Sequence, residues 1–451
     1  MTKELEKMSE NSYIRRKIDD DLLAWVQEAD RKPLLLRGAR QVGKSSAVRH
    51  LGKRFEHFLE INFELDEQAR DLFANSELYP EKLCRGLSLM YGTPIIPGKT
   101  LLFFDEIQAS LRAINSLRYF YEKYGELHVI AAGSLLEFAL SELPSFGVGR
   151  IRTMYMYPMS FLEFLSACGY DMLSREIEGA NCKNPLADPV HKTVINHLKM
   201  FLILGGMPEV VSNYVSTGDL QKCQKILDDL TESLRMDFAK YKANTPALLI
   251  SDVFDSVVGQ MGKKFVYANV SGEHPHRQLR TGLELLKMSG LVIPVRHTAA
   301  NGLPLGAEVN PKRQKMLLLD TGIYQRLLGL PMADLLIYDD FSIINKGNLV
   351  ELFVGLELMK SGSPYTSKSL YYWHREDGKN SNAEVDYVVQ IGQNIIPIKV
   401  KSGTKGAMQS IRVFLNEKQK NSPYGIRASL ENYGEIPGIK IVPAYAVGFV
   451  H

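Results

Sequence analysis

The stretch Gly38-Ala39-Arg40-Gln41-Val42-Gly43-Lys44-Ser45 constrains this chain more than any other. A glycine, four residues, then Gly-Lys-Ser is the pattern of a P-loop, whose backbone N–H groups wrap nucleotide phosphates. Gly38 and Gly43 let the backbone turn tightly and approach the phosphates without a Cβ in the way. Lys44 is placed to reach the β- and γ-phosphates, and Ser45 to set its hydroxyl on Mg²⁺, with Ser46 following in the same turn. The flanks have the order this chemistry needs. Pro33-Leu34-Leu35-Leu36-Arg37 is a short apolar run suited to a buried parallel strand. Ser46-Ala47-Val48-Arg49-His50-Leu51 continues as a helix, whose N-terminus adds partial positive charge beneath the phosphates.

Further along, Thr100-Leu101-Leu102-Phe103-Phe104-Asp105-Glu106-Ile107-Gln108 is a strand run ending in two acids, a Walker B pattern. Asp105 is expected to help hold Mg²⁺, and Glu106 to polarise an attacking water. Phe58 to Phe63 alternates and reads as another strand, with helical material from about Glu67 to Met90 broken at Pro80. Leu127 to Ser134 is a further buried strand, after which Ser134 reads either as a γ-phosphate sensor or as a helix N-cap. Arg150, in Gly149-Arg150-Ile151-Arg152, is either a surface residue or a phosphate contact, in its own subunit or a neighbour's. Before the loop, residues 18, 22, 23 and 26 have helical spacing. Tyr13, Arg15 and Arg16 stand either near a nucleotide base or as solvated residues ahead of that helix.

Composition excludes more than it selects. At 451 residues the chain is too long for one ordinary core. The 54 basic and 51 acidic residues leave a net charge of +3, which marks no nucleic-acid binder by itself. Cys84, Cys168, Cys182 and Cys223 form no C-x-x-C pair and no Cys/His metal spacing. With no signal-peptide pattern at the start, they fit reduced thiols in a cytoplasm. The most apolar long segment, residues 201–211, is too short for a transmembrane span, so no membrane partner is expected.

Residues 13–165 resemble the AAA-like ATP-binding domain of a large prokaryotic family of ATPases, in which a conserved C-terminal domain of unknown function follows. The resemblance is carried by Arg37 to Ser45, Phe104-Asp105-Glu106-Ile107-Gln108, Ala132-Gly133-Ser134, and Gly149-Arg150 with Tyr157-Pro158-Met159-Ser160-Phe161-Leu162-Glu163-Phe164. Gly205-Gly206-Met207-Pro208-Glu209-Val210 resembles a marker of the family's second part. The resemblance spans nearly the whole chain and implies ATP with Mg²⁺ as cofactors.

Residues 166–245 read as a mostly helical connector with a break at 181–185. Residues 246–334 look like a winged helix: helices at 256–261 and 277–290, then Leu291-Val292-Ile293-Pro294-Val295 as a wing strand. Arg277, Arg280, Lys312, Arg313 and Lys315 would face DNA, or the module would bind protein. In the family such a helix commonly precedes a segment like Lys315 to Asp320-Thr321-Gly322-Ile323-Tyr324. In residues 335–451, an amphipathic helix at 348–358 precedes Glu384-Val385-Asp386 and Ile395 to Gly403, which resemble a PD-(D/E)XK restriction-endonuclease-like core. That resemblance implies an Asp, then E-x-K on the next strand, around Mg²⁺. Asp386 and Lys401 match, but Lys399 stands in the acid's place. Strand alternation puts residues 399 and 401 on one face, so a cation would oppose the metal. Glu384 and Glu351 are the acids that could compensate, and the expected state is a degenerate nuclease.

The expected architecture is therefore α/β: an AAA-like P-loop NTPase parallel sheet, a winged-helix domain and a PD-(D/E)XK-like domain. The expected activity is ATP hydrolysis by Lys44, Ser45, Asp105 and Glu106, coupled to movement of the C-terminal domains on DNA or a protein, in an oligomer or a monomer. The rivals are a nucleotide-gated signalling or assembly module with little turnover, and a metal-dependent nuclease.

Overall fold

The computed structural model describes residues 13–143, 147, 149–241, 245–332, 346–375, 383–401 and 408–450. Ser402 and Gly403 and the expected boundary at 334/335 lie outside them. The chain forms two compact units: residues up to 158 with two short later stretches, 288–290 and 363–367, and the remainder from 159 onwards.

The first unit is built on five strands: β1 (Leu34–Arg37), β2 (His57–Asn62), β3 (Thr100–Asp105), β4 (His128–Ala132) and β5 (Arg152–Tyr155). They run in the order β2-β3-β4-β1-β5, every pairing parallel. Leu34, Leu35, Leu36 and Leu101 to Phe104 are wholly buried, as a sheet covered on both faces requires. On one face Leu102, Phe104, Val129 and Ala131 pack with Leu83, Leu87, Ile114 and Leu117. There Phe104 meets Phe63, Phe73 and Phe120 edge-on, at centroid distances of 5.5, 5.6 and 5.9 Å. The helix break at Pro80 falls where expected, since Pro80 opens the helix Pro80–Tyr91 at a position that needs no N–H donor. Because the strands are parallel, β1, β3 and β4 all end at one edge. The segments that follow them, 38–45, 105–108 and 133–134, meet there, where α/β sheets place their ligands.

The second unit holds an eight-stranded mixed sheet, ordered β12-β13-β11-β10-β9-β8-β6-β7. Its strands are β6 (Val292–Thr298), β7 (Val309–Leu318), β8 (Leu370–His374), β9 (Glu384–Ile391), β10 (Asn394–Val400), β11 (Gly425–Ser429), β12 (Gly434–Ile436) and β13 (Ile439–Pro443). The segment after 159 supplies the helices Phe161–Ala167, Asp188–Leu204, Pro208–Thr217 and Leu220–Met236.

Two features differ from the sequence reading. The strand expected as a wing, β6, pairs antiparallel with β7 but also parallel with β8. The hairpin is thus the margin of the larger sheet, because β8 satisfies the backbone groups a free wing would leave to water. The helix Lys346–Lys360 is not amphipathic: Val350, Leu352, Phe353, Val354, Leu356, Leu358 and Met359 are buried around its whole circumference. Its two buried carboxylates, Glu351 and Glu357, are each paired with a lysine, Lys315 and Lys360. Among the described residues, no helix is long and apolar enough to cross a membrane.

Candidate functional site

The loop after β1 closes tightly on its neighbours. Gly38 has φ +149° and lies so near the Met156 carbonyl that a Cβ there would come within 2.1 Å of its oxygen. Gly43, at φ +98°, turns the chain into the helix Lys44–Gly52. Gln41 takes φ 63°, a left-handed conformation, within the loop. Arg40 is half-buried and Ser46 exposed, while Ala39 and Val42 are buried beneath the loop. Lys44 is 7% exposed, and its ammonium donates to the carbonyls of Gly38 and Ala39 at 2.9 and 2.7 Å. Burial lowers its pKa to about 8 against the opposing pull of Glu106 and Asp105. Ser45 Oγ donates to Asp105 Oδ1 and Oδ2 at 3.1 and 2.9 Å. Burial raises the Asp105 pKa, with the Ser45 hydrogen bond opposing it.

Glu106 follows at φ 47°, ψ 43°, a conformation uncommon for a residue with a side chain. Its Oε2 accepts from Ser134 N at 3.2 Å, Ser134 Oγ at 3.1 Å and Gln108 Nε2 at 2.5 Å. The structure thus brings Lys44, Ser45, Asp105, Glu106 and Ser134 to one edge of the sheet. Ser134 reaches Glu106 through both its backbone and its hydroxyl, and the helix after it begins only at Leu136. These groups fit a magnesium nucleotide. The buried Lys44 ammonium has no carboxylate at hydrogen-bond distance among its described contacts, and the Ser45–Asp105 pair offers the oxygens Mg²⁺ prefers.

Arg150 is placed elsewhere. It lies just before β5, whose Arg152 pairs with Leu34 at the start of β1, and it forms an ion pair with Glu122 near the end of the helix Leu111–Tyr124. That is the opposite edge of the sheet from Arg37, a strand length or on the order of 10 Å away. Arg150 therefore stands at the strand starts, away from its own subunit's loop.

Three residues near the loop carried too little sequence signal to assign. Arg16 is buried and donates to Val42 O at 2.9 Å and Tyr157 O at 2.8 Å, bracing the loop. Tyr13 stacks on His50 at 4.1 Å. Arg37 Nε donates to Glu137 Oε1 at 2.6 Å. Each contact joins positions far apart in sequence, where spacing gives no clue.

The second constellation is assembled around a residue not expected in it. Lys315 on β7, whose side chain is 2% exposed, reaches Glu384 at 2.6 Å, Glu351 at 3.0 Å and Asp386 at 3.9 Å. Lys399 adds a second cation on Asp386 at 2.7 Å, and Val400 N donates to the same carboxylate at 2.7 Å. Lys401 lies just past β10, and its described hydrogen bond is its backbone N–H to Ala428 O at 2.8 Å. Lys315 was expected among basic groups facing DNA. It is instead held in this cluster, where burial opposes its charge but Glu351, Asp386 and Glu384 outweigh burial and raise its pKa. Burial, together with the Asp386 charge, pushes Glu351 up to about 7. These residues do not fit a divalent ion, because a lysine ammonium already fills the space among the three carboxylates. Among the described residues, no group of three or more His, Cys, Asp and Glu is arranged to hold a metal.

Residues 30–165 match the family model of an AAA domain. The first unit thus has an α/β P-loop NTPase fold, similar over residues 30–165 to an AAA domain. Residues 195–334 match a domain of unknown function (DUF8612), and residues 346–447 match another (DUF4143). No curated protein matches the chain. Similar solved structures include a Walker-type ATPase of Pyrococcus abyssi, at 16% identity over 70% of this chain and 96% of that one, TM-score 0.46. The ORC1 protein of Aeropyrum pernix in complex with DNA is 14% identical over 71% of this chain and 92% of that one, TM-score 0.30. A signal-transduction ATPase with numerous domains from Pyrococcus horikoshii is 11% identical over 78% and 46%, TM-score 0.29.

Proposed function

We propose that this chain binds ATP with Mg²⁺ on the loop 38–46 and hydrolyses it. The observation that carries the reading is the convergence of a buried Lys44 ammonium, the Ser45–Asp105 pair and a tethered Glu106 carboxylate at one sheet edge. Lys44 binds the β- and γ-phosphates, and the loop's backbone N–H groups orient them. Ser45 and Asp105 would hold Mg²⁺, which would supply charge neutralisation for the phosphate oxygens. Glu106 takes a proton from the attacking water, and Ser134 orients both the carboxylate and the γ-phosphate. Arg150, remote from its own loop, would serve only a neighbouring subunit.

Nucleotide state then repositions the second unit, whose parts resemble a winged helix and a nuclease core filled by lysines. Its role is binding, without metal-dependent cutting. Exposed Arg277, Arg280 and Lys312 supply cations that suit a DNA backbone. ATP turnover by wild type, Lys44→Ala and Glu106→Gln tests the core of the reading. Phosphate release is expected from wild type alone, and equal background release from all three would end the hydrolysis claim. For the second unit, a labelled DNA duplex should bind wild type more tightly than Arg277→Glu/Arg280→Glu. Equal affinity would end the DNA reading.

A further inference from the structure

The contacts of Glu106 fall on one oxygen. Ser134 N, Ser134 Oγ and Gln108 Nε2 all donate to Oε2, and Gln108 makes the shortest of the three contacts, 2.5 Å. A carboxylate only accepts, so the Gln108 NH₂ must face it and the amide oxygen must point away. That oxygen, Oε1, is buried without a hydrogen-bond partner and lies over Gly133, where an added Cβ would meet it at 2.0 Å. The amide is therefore seated in a space that exists because residue 133 has no side chain. A buried acceptor left unpaired is unfavourable by itself, and what offsets it is the hydrogen bond from the amide nitrogen to Glu106.

We propose that Gln108 is a positioning residue for hydrolysis: seated on Gly133, it anchors Glu106 Oε2 and leaves Oε1 to the attacking water. Glu106 is the carboxylate whose charge most strongly supports that of Lys44, ahead of Asp105. Glu106 also has a left-handed backbone, so its side chain direction depends on what holds it.

The inference rests on the hydrolysis reading above, and the test separates the two. The full chain is assayed as wild type, Gln108→Ala, Gly133→Ala and the double variant, for steady-state ATP turnover and for affinity toward a fluorescent ATP analogue. Each single change should lower kcat on the order of 100-fold, as a misplaced catalytic group does, with analogue affinity unchanged. The double variant should match Gln108→Ala, because Gly133→Ala acts by unseating Gln108. Wild-type kcat in Gln108→Ala, additive losses in the double variant, or lost affinity with kcat intact would each overturn the role of Gln108. If Gln108→Ala fails to fold, wild-type turnover in Gly133→Ala overturns it equally. Wild type that binds the analogue but releases no phosphate defeats the hydrolysis reading, and this inference with it.

Discussion

Replacing Lys315 by Met removes the cation at the centre of the second unit's charged cluster and keeps much of the side chain's volume. The ammonium lies 2.6 Å from Glu384, 3.0 Å from Glu351 and 3.9 Å from Asp386. At the effective dielectric that suits protein sites, each attraction amounts to roughly 4–6 kcal/mol before desolvation. Desolvation of the ammonium cancels much of this, and breaking a buried pair by removing one partner destabilises by about 3–5 kcal/mol net. Lys399 still neutralises Asp386, so the uncompensated charges are Glu351 and Glu384. Glu351, already raised to about 7, can shed its charge by binding a proton. The loss in Lys315→Met should therefore be about 3 kcal/mol or more at pH 8 and clearly smaller at pH 5.5. The raised carboxyl also sets the sign in wild type: its contribution is fully present below its ordinary 4.5 and is lost as pH rises through about 7. Denaturant unfolding followed by Trp373 reads this unit, in a Trp25→Phe background that removes the first unit's tryptophan; both side chains are buried. A loss below about 1 kcal/mol at pH 8, or an equal loss at both pH values, would refute the argument.

Glu106→Gln should keep nucleotide affinity and lower kcat by about 100- to 10,000-fold, the range of a lost general base, measured by phosphate release against analogue binding. Gly38→Ala should abolish analogue binding and destabilise the first unit by about 1–3 kcal/mol, because the new Cβ meets the Met156 carbonyl at 2.1 Å in a backbone conformation few side chains adopt. Nucleotide affinity should weaken above about pH 8, approaching tenfold per pH unit, as Lys44 must regain a proton to meet the phosphate. A flat binding profile from pH 7 to 9.5 would contradict that.

The loop and the strand-end acids of the first unit were legible in the sequence by itself. Glycines 38 and 43, Lys44, Ser45 and the Asp105-Glu106 pair are local patterns, because a phosphate cradle needs consecutive backbone groups and a strand-end acid needs only an apolar run before it. Parallel strands then bring such ends to one edge, so Ser134 could be read from the end of β4. What lay across the fold was hidden. The seating of Gln108 on Gly133, the Arg16 brace on Val42 and the retreat of Arg150 to the far edge depend on which strand ends meet, and spacing does not encode that. The second unit shows the same limit. Lys399 in the acid's place was visible in the chain, but the occupant of the carboxylate pocket, Lys315, comes from β7, far away in sequence. A buried ammonium pairs with whatever carboxylates the sheet order sets beside it, and only the tertiary structure decides which these are.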